Sequence, residues 1–377
     1  MPKNHEDIVS SVKSNATRSN GKGGKMKNFH PLACVAFIIF IFAFMMWSCG
    51  DGEDVTWESK SHQWKLMSLG TSKNLNDIFV LDATHAWTVG AGGTIISYDG
   101  KKWSDPIESN PKTTNDLYAV VAFDADDVWA LGHRVRVHFD GNTWSTHTIK
   151  EDPNLNHTVK GATVIPKTDG CSNATRYQGW AVTQDSNYYR YDGSDWEYAA
   201  YGKQTDRHAI SANCEGQIWS VGNHAKIWTW TQANGWVNLT PIPEILIKKP
   251  INGVSVCQDG ETCNKQGIVK WKHVLAVGRV HLVYHSKNGL LFDKYDSGEN
   301  DKLLNDVVYL DESNAWAVGN DGTIVFSNNP PNYWEIQTWD TELAEGKPNL
   351  FAVAALDAEH AWAVGANGTL LEYKPSQ

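Results

Sequence analysis

Asn349–Tyr373 reads NLFAVAALDAEHAWAVGANGTLLEY, and its plan recurs along the chain. Asn305–Phe326 is NDVVYLDESNAWAVGNDGTIVF, Asn76–Tyr98 is NDIFVLDATHAWTVGAGGTIISY, and Asn115–Phe139 is NDLYAVVAFDADDVWALGHRVRVHF. Each copy holds an apolar strand, an acidic turn, a Trp strand ending on Gly, a turn and a third strand. Such self-similarity sets the architecture ahead of any local reading.

Outward from that stretch, units of roughly 40–55 residues fill the chain from Trp57 onward, within the usual range of repeat lengths. The second-strand Trp recurs as Trp87, Trp129, Trp180, Trp219, Trp316 and Trp362, with Leu275 in the same place, so there are seven units. The closing Gly is Gly90, Gly132, Gly222, Gly278, Gly319 and Gly365, whereas unit three reads Ala181-Val182-Thr183. First strands such as Leu75–Leu81, Leu117–Phe123 and Phe351–Leu356 are short, apolar and bounded by polar turns, without the spacing of a helix. Asp82, Asp124, Asp311 and Asp357 head matching turns, where an Asp side chain bonds the backbone two residues on. Gly92-Gly93, Asp321-Gly322 and Asn367-Gly368 mark hairpin turns that need positive φ. Asp-Gly-x-x-Trp segments at Asp99–Trp103, Asp140–Trp144 and Asp192–Trp196 then open a fourth strand.

Four short antiparallel strands per unit, seven times over, predict an all-β, seven-bladed β-propeller. A linear solenoid is the alternative, and it lacks the polar capping repeat such arrays carry. The last unit stops after its third strand, at Tyr373. Gln63–Met67 is the expected donor of the missing strand, because Trp64 stands where Trp103 and Trp144 stand in their units. An N-terminal strand that closes the last blade also removes free sheet edges.

Composition agrees with this plan. Of 377 residues 41% are hydrophobic and 20% charged, and the 18 Trp suit the filling between stacked sheets. A net charge of −10 argues against nucleic acid, which needs a clustered basic face.

The N-terminus reads as an address. Residues 1–49 comprise a polar leader and the apolar run Leu32–Trp47, residues 50–60 a linker, and residues 61–377 the propeller. The apolar run is 16 residues, shorter than the ~20 of a membrane-spanning helix and closer to a signal-peptide core. Lys25 and Lys27 precede it, and Ser48-Cys49 ends it before the acidic Asp51–Asp54. A small residue before Cys at this point resembles the lipobox of bacterial lipoproteins, which implies lipidation of Cys49 and export to the envelope. Trp47 departs from that pattern, and Met26 offers a second start with a more ordinary leader. A single-pass anchor or plain secretion are the alternatives. Four of the six cysteines lie in the body. Cys257 and Cys263 share one loop and Cys171 and Cys214 lie in corresponding loops of neighbouring units, so two disulfides are expected in an exported protein.

The Asp-Gly-x-x-Trp turns resemble the Asp-box of sialidase-type propellers, a structural hairpin away from the active site. The sialidase catalytic set is not visible: Val164-Ile165-Pro166-Lys167 lacks the Arg of the Arg-Ile-Pro segment. The Trp-Ala-Val-Gly-x-x-Gly-Thr-Ile pattern of Trp316–Ile324 and Trp362–Leu370 resembles the photosystem II stability/assembly factor family. That resemblance implies the propeller and a protein-binding or assembly role, and it names no partner.

Sequence chemistry gives three further signals. Asn-Asp opens the first strand of units one, two and six, so Asp77, Asp116 and Asp306 are candidates for an acidic ring at the channel that binds a ligand or cation, or simply strand-start turns. His133, His138, His281 and His285 make no metal-ligand spacing, and neither His-Glu-x-x-His, a phosphate loop nor Gly-x-Ser-x-Gly occurs. No cofactor, metal or catalytic residue is therefore expected. The resulting expectation is a monomeric, membrane-tethered, non-enzymatic propeller that binds a protein, peptide or glycan. The alternative is a glycan-active hydrolase or lyase using acids near the channel mouth.

Overall fold

A computed structural model describes residues 62–108, 113–148, 158–165, 178–201, 206–213, 216–239, 250–257, 273–278, 282–286, 293–296, 302–339 and 346–375. They form seven four-stranded antiparallel sheets. The inner strands of successive blades pack side by side, and blade seven packs on blade one, so the ring closes. The expected all-β, seven-bladed propeller is the fold observed.

Closure follows the expected route. His62–Met67 pairs with Leu370–Pro375 on the outside of blade seven, with Trp64 opposite Tyr373. Trp64 is buried, meets Trp316 edge-on at 5.3 Å and lies 5.3 Å from Tyr373. A further parallel bridge joins Trp64 to Trp339. One N-terminal side chain thus ties blade seven to blade six. Edge-to-face geometry of this kind adds to the large apolar area such rings bury.

The second strand of each blade is buried along its whole length in Ala86–Gly90, Gly179–Thr183, Ile218–Gly222, Val274–Gly278 and Ala361–Gly365. Sheets covered on both faces read as continuous apolar runs rather than alternating ones. The closing Gly has a steric origin. A Cβ at Gly365 would lie 2.1 Å from the Asn349 carbonyl oxygen, because the next residue, Ala366, donates its N–H to that same oxygen at 2.9 Å. Gly90 and Gly132 meet Asn74 and Asp116 in the same way.

Turn chemistry also matches. Asp82 Oδ1 accepts the N–H groups of Thr84 and His85, and Asp357 Oδ1 those of Glu359 and His360. The turns after the second strands of blades one, four, six and seven are longer than plain two-residue hairpins. They are single 3₁₀ turns with Asp321 at φ 53° and Asn367 at φ 57°, where Asn and Asp tolerate the left-handed region. In blade one the outer strand is Ile107–Glu108, and Trp103 forms only a bridge to Tyr98 before it.

Candidate functional site

Every inner strand carries a β-bulge at its second residue. In blade one Leu75 pairs with Gly90 and Asp77 with Val89, so Asn76 has no partner. The same residue is skipped at Tyr118, Lys160, His208, Asn252, Asn305 and Phe351. Bulges bend a strand and re-aim a side chain. All seven of these side chains line one cavity of about 250 Å³ in the middle of the ring.

Local rules hold each bulge in place. The residue before it is buried and apolar in six blades, with Leu75, Leu117 and Leu350 fully enclosed. In blade four that place is taken by Arg207, which is also fully buried. Its Nε donates to Tyr188 Oη at 2.9 Å, and its guanidinium lies 4.8 Å from the Trp228 ring. The residue after the bulge is Ala119, Gly161, Ala209, Gly253 or Ala352 in five blades and Asp77 or Asp306 in two. Small residues there let neighbouring inner strands approach: a Cβ on Gly253 would lie 2.7 Å from the Asp306 Cα.

The bulge asparagines staple the ring. Asn76 Nδ2 donates to the Leu117 carbonyl at 2.7 Å, Asn252 to Leu304 at 3.0 Å and Asn305 to Leu350 at 2.7 Å. Each bond crosses from one blade to the next.

The expected acidic ring resolves into two equivalent acids and one that differs. Asp77 and Asp306 both follow a bulge and both line the cavity. Asp77 Oδ2 accepts Val120 N–H at 2.8 Å, and Asp306 Oδ2 accepts Val353 N–H at 3.0 Å. Each carboxyl therefore caps an inner-strand donor of the next blade that no sheet partner reaches. Asp116 instead precedes Leu117 and takes the place of Asn74, three positions earlier in the register. Its Oδ1 accepts Gly92 N–H from blade one at 2.8 Å. Asn349 does the same for Asp321 and Asn74 for Asn367. Asp116 is thus a staple between turns and not part of the cavity lining. The shared Asn-Asp dipeptide concealed this difference of register.

Burial sets the charge states here. It pushes the Asp77 carboxyl up to about 8, with the nearby Asp306 charge adding to the effect. Burial pushes Asp306 up to about 7. Both side chains are half-buried at the channel surface, but walls of protein on all sides make hydration of a carboxylate poor. Burial also lowers the Lys160 ammonium and the His208 imidazole below their usual values. Lys160 Nζ lies 4.0 Å over the Tyr118 ring, and His208 Nδ1 is 3.2 Å from Asn252 Oδ1.

The other expected residues lie elsewhere. His133 Nδ1 sits 2.7 Å from Thr158 Oγ1. His138 sits 2.9 Å from Asp127 and stacks on Trp129 at 4.2 Å, while His285 is buried in blade five. Cys257 is buried, with Sγ 3.7 Å from the Leu310 carbonyl oxygen. Cys49, Cys171, Cys214, Cys263 and His281 fall outside the described residues. Among the described residues no group of three or more His, Cys, Asp or Glu is placed to hold a metal ion. Sequence reasoning missed Tyr118, Lys160, His208, Asn252 and Phe351. The signal that finds them is positional: the second residue of each inner strand, counted in register from the closing Gly.

No protein-family model and no curated protein matches the chain. Solved structures do. YCF48 bound to D1 peptide is similar over 84% of this chain and 98% of its own, at TM-score 0.62 and 17% identity. YCF48 from Cyanidioschyzon merolae matches over 83% and 99%, at 0.61 and 20%. A catalytically inactive virginiamycin B lyase from Staphylococcus aureus with quinupristin matches over 83% and 99%, at 0.63 and 12%. At these identities the likeness is one of fold, and it agrees with the seven-bladed ring of the described residues.

Proposed function

We propose that this chain is an exported, lipid-anchored propeller that binds a peptide segment of a partner protein at the channel mouth without turning it over. The observation that carries this reading is the set of seven bulges, which turns seven side chains of five kinds into the lining of one cavity. Concave sites with a few convergent polar groups are the default ligand sites of folded proteins. The similar YCF48 structure that holds a D1 peptide favours a peptide as the ligand.

A lyase-like reading has the virginiamycin B lyase fold in its favour. Against it, Asp77 and Asp306 each commit an oxygen to the backbone of the next blade, which suits a structural cap better than a mobile acid or base. The test is capture of partners from the native envelope by the wild-type protein and by the double variant Tyr118→Ser, Phe351→Ser. A partner held only by the wild type supports the reading. A partner held equally by both overturns the site, and turnover of a glycan or cyclic peptide panel overturns the non-enzymatic part.

Export by the lipoprotein route is tested by incorporation of a fatty-acid analogue, which Cys49→Ser should abolish. The proposed pairs Cys257–Cys263 and Cys171–Cys214 predict linked peptides in a non-reducing digest.

A further inference from the structure

The lining of the mouth is chemically lopsided. Among its described residues Lys160, on blade three, is the only lysine or arginine. The two channel acids sit on blades one and six, with blade seven between them.

Half-buried ammonium groups are ordinarily paired, because desolvation without a partner is costly. Lys160 makes no ion pair among the described residues, and its close contact is the Tyr118 ring. The acids that act on it electrostatically are Asp116 and Asp206, which head the neighbouring blades two and four. Both are committed elsewhere. Asp116 accepts Gly92 N–H at 2.8 Å and faces the Tyr118 hydroxyl donor at 3.3 Å. Asp206 Oδ2 accepts Asn223 Nδ2 at 2.9 Å. Asp116 and Asp206 thus each hold a turn, and neither forms an ion pair with Lys160.

We infer that Lys160 receives a carboxylate of the bound peptide, an Asp or Glu side chain that enters the mouth between blades two and four. The inference rests on the peptide reading above and adds its chemistry. An arriving carboxylate supplies the ion-pair partner that no described residue provides, and charge-assisted contacts of this type are the strong ones. The aromatic face of Tyr118 already fixes the ammonium by a cation–π contact, so little side-chain freedom is lost on binding. The acids across the ring oppose it less than two full charges would, since burial pushes both carboxyls up. His208, on the adjacent bulge, is likewise held toward neutrality by burial and engages Asn252.

The test uses the full chain and a random peptide library displayed on phage. Peptides are selected on the wild type and sorted by whether the Tyr118→Ser, Phe351→Ser variant still binds them. Mouth-dependent peptides are then synthesised with each Asp or Glu changed to its amide. We expect one such change to raise Kd about tenfold or more. In Lys160→Met the acid and amide forms should bind alike, while Lys160→Arg should keep the preference. An acid-to-amide effect below about twofold in the wild type, or a preference that survives Lys160→Met, overturns the carboxylate inference and leaves the peptide reading standing. If no selected peptide depends on Tyr118 and Phe351, both fail. Thermal unfolding of Lys160→Met and Lys160→Arg checks that each variant is folded.

Discussion

The middle of each second strand and the bulge on the inner strand beside it obey opposite rules. The second-strand position is Trp in six blades and Leu275 in the seventh, and every one is buried. The bulge is Asn in three blades and Tyr, Lys, His or Phe in the others. One layer fills the space between sheets, where volume and shape are fixed by close packing. The other faces a cavity, where the backbone defines a direction and leaves the side chain open. Within a repeat protein the positions that are alike reveal how it folds, and the positions that differ reveal where it meets something else.

Breaking the uniform layer should have the largest effect. Trp316 is fully buried and contacts Trp64, Phe326 and Tyr373, so it packs blade six against the closing strand. Trp316→Ala should cost about 3–5 kcal/mol, read as a lower midpoint in urea unfolding. Gly365→Ala is the next test. The added methyl must displace the Asn349 carbonyl from 2.1 Å and with it the bond from Ala366. We expect a loss of about 2–4 kcal/mol, against near neutrality for Gly235→Asn, whose Cβ meets nothing within 4 Å and whose positive φ Asn tolerates.

This contrast also explains what could be read in advance. Trp, Gly and Asp-headed turns repeat as residue types, so the seven blades and the closing strand at Trp64 were legible. A bulge has no residue type. Its mark is an offset, and the offset shows only when strands are aligned by pairing. Asn115-Asp116 looked like Asn76-Asp77, yet one pair precedes the first buried leucine and the other follows it. Blade three hides its register further, since Thr183 stands where other blades carry Gly. Lys160 was invisible for another reason: its interest lies in which acids fail to reach it, which no linear spacing records.

The channel acids lie between the two layers, because they both pack and face the cavity. Asp77 has its carboxyl raised to about 8 in the fold, against an unfolded value near 4. A raised folded value means that the neutral form favours folding. The contribution is full below about pH 4 and is lost as pH climbs through about 8. Asp77→Asn keeps an acceptor for Val120 N–H and removes the charge. It should therefore flatten the stability profile above pH ~4 and exceed the wild type at pH ~9 by about 1–3 kcal/mol, with channel water reducing the full effect. A variant less stable than the wild type at pH ~9 would show that the charged form is well solvated. Smaller still is Asn349→Ala, which removes one exposed acceptor for Asp321 N–H and should cost about 1 kcal/mol.

The smallest effect on stability is expected at the bulge itself, and it is the sharpest test of the contrast between layers. Phe351 is half-buried on blade seven, next to the fully buried Leu350. Were its ring part of the packing, Phe351→Ser would cost several kcal/mol, as at other core aromatics. If the bulge serves the cavity, the same change should move stability by only about 0.5 kcal/mol while weakening any mouth-bound peptide. The paired change Leu350→Ser should do the reverse on the neighbouring residue, at about 3–5 kcal/mol. Unfolding midpoints of the two variants side by side decide it. Equal losses would mean that the seven bulges are packing irregularities and that the cavity they surround has no claim to be a site.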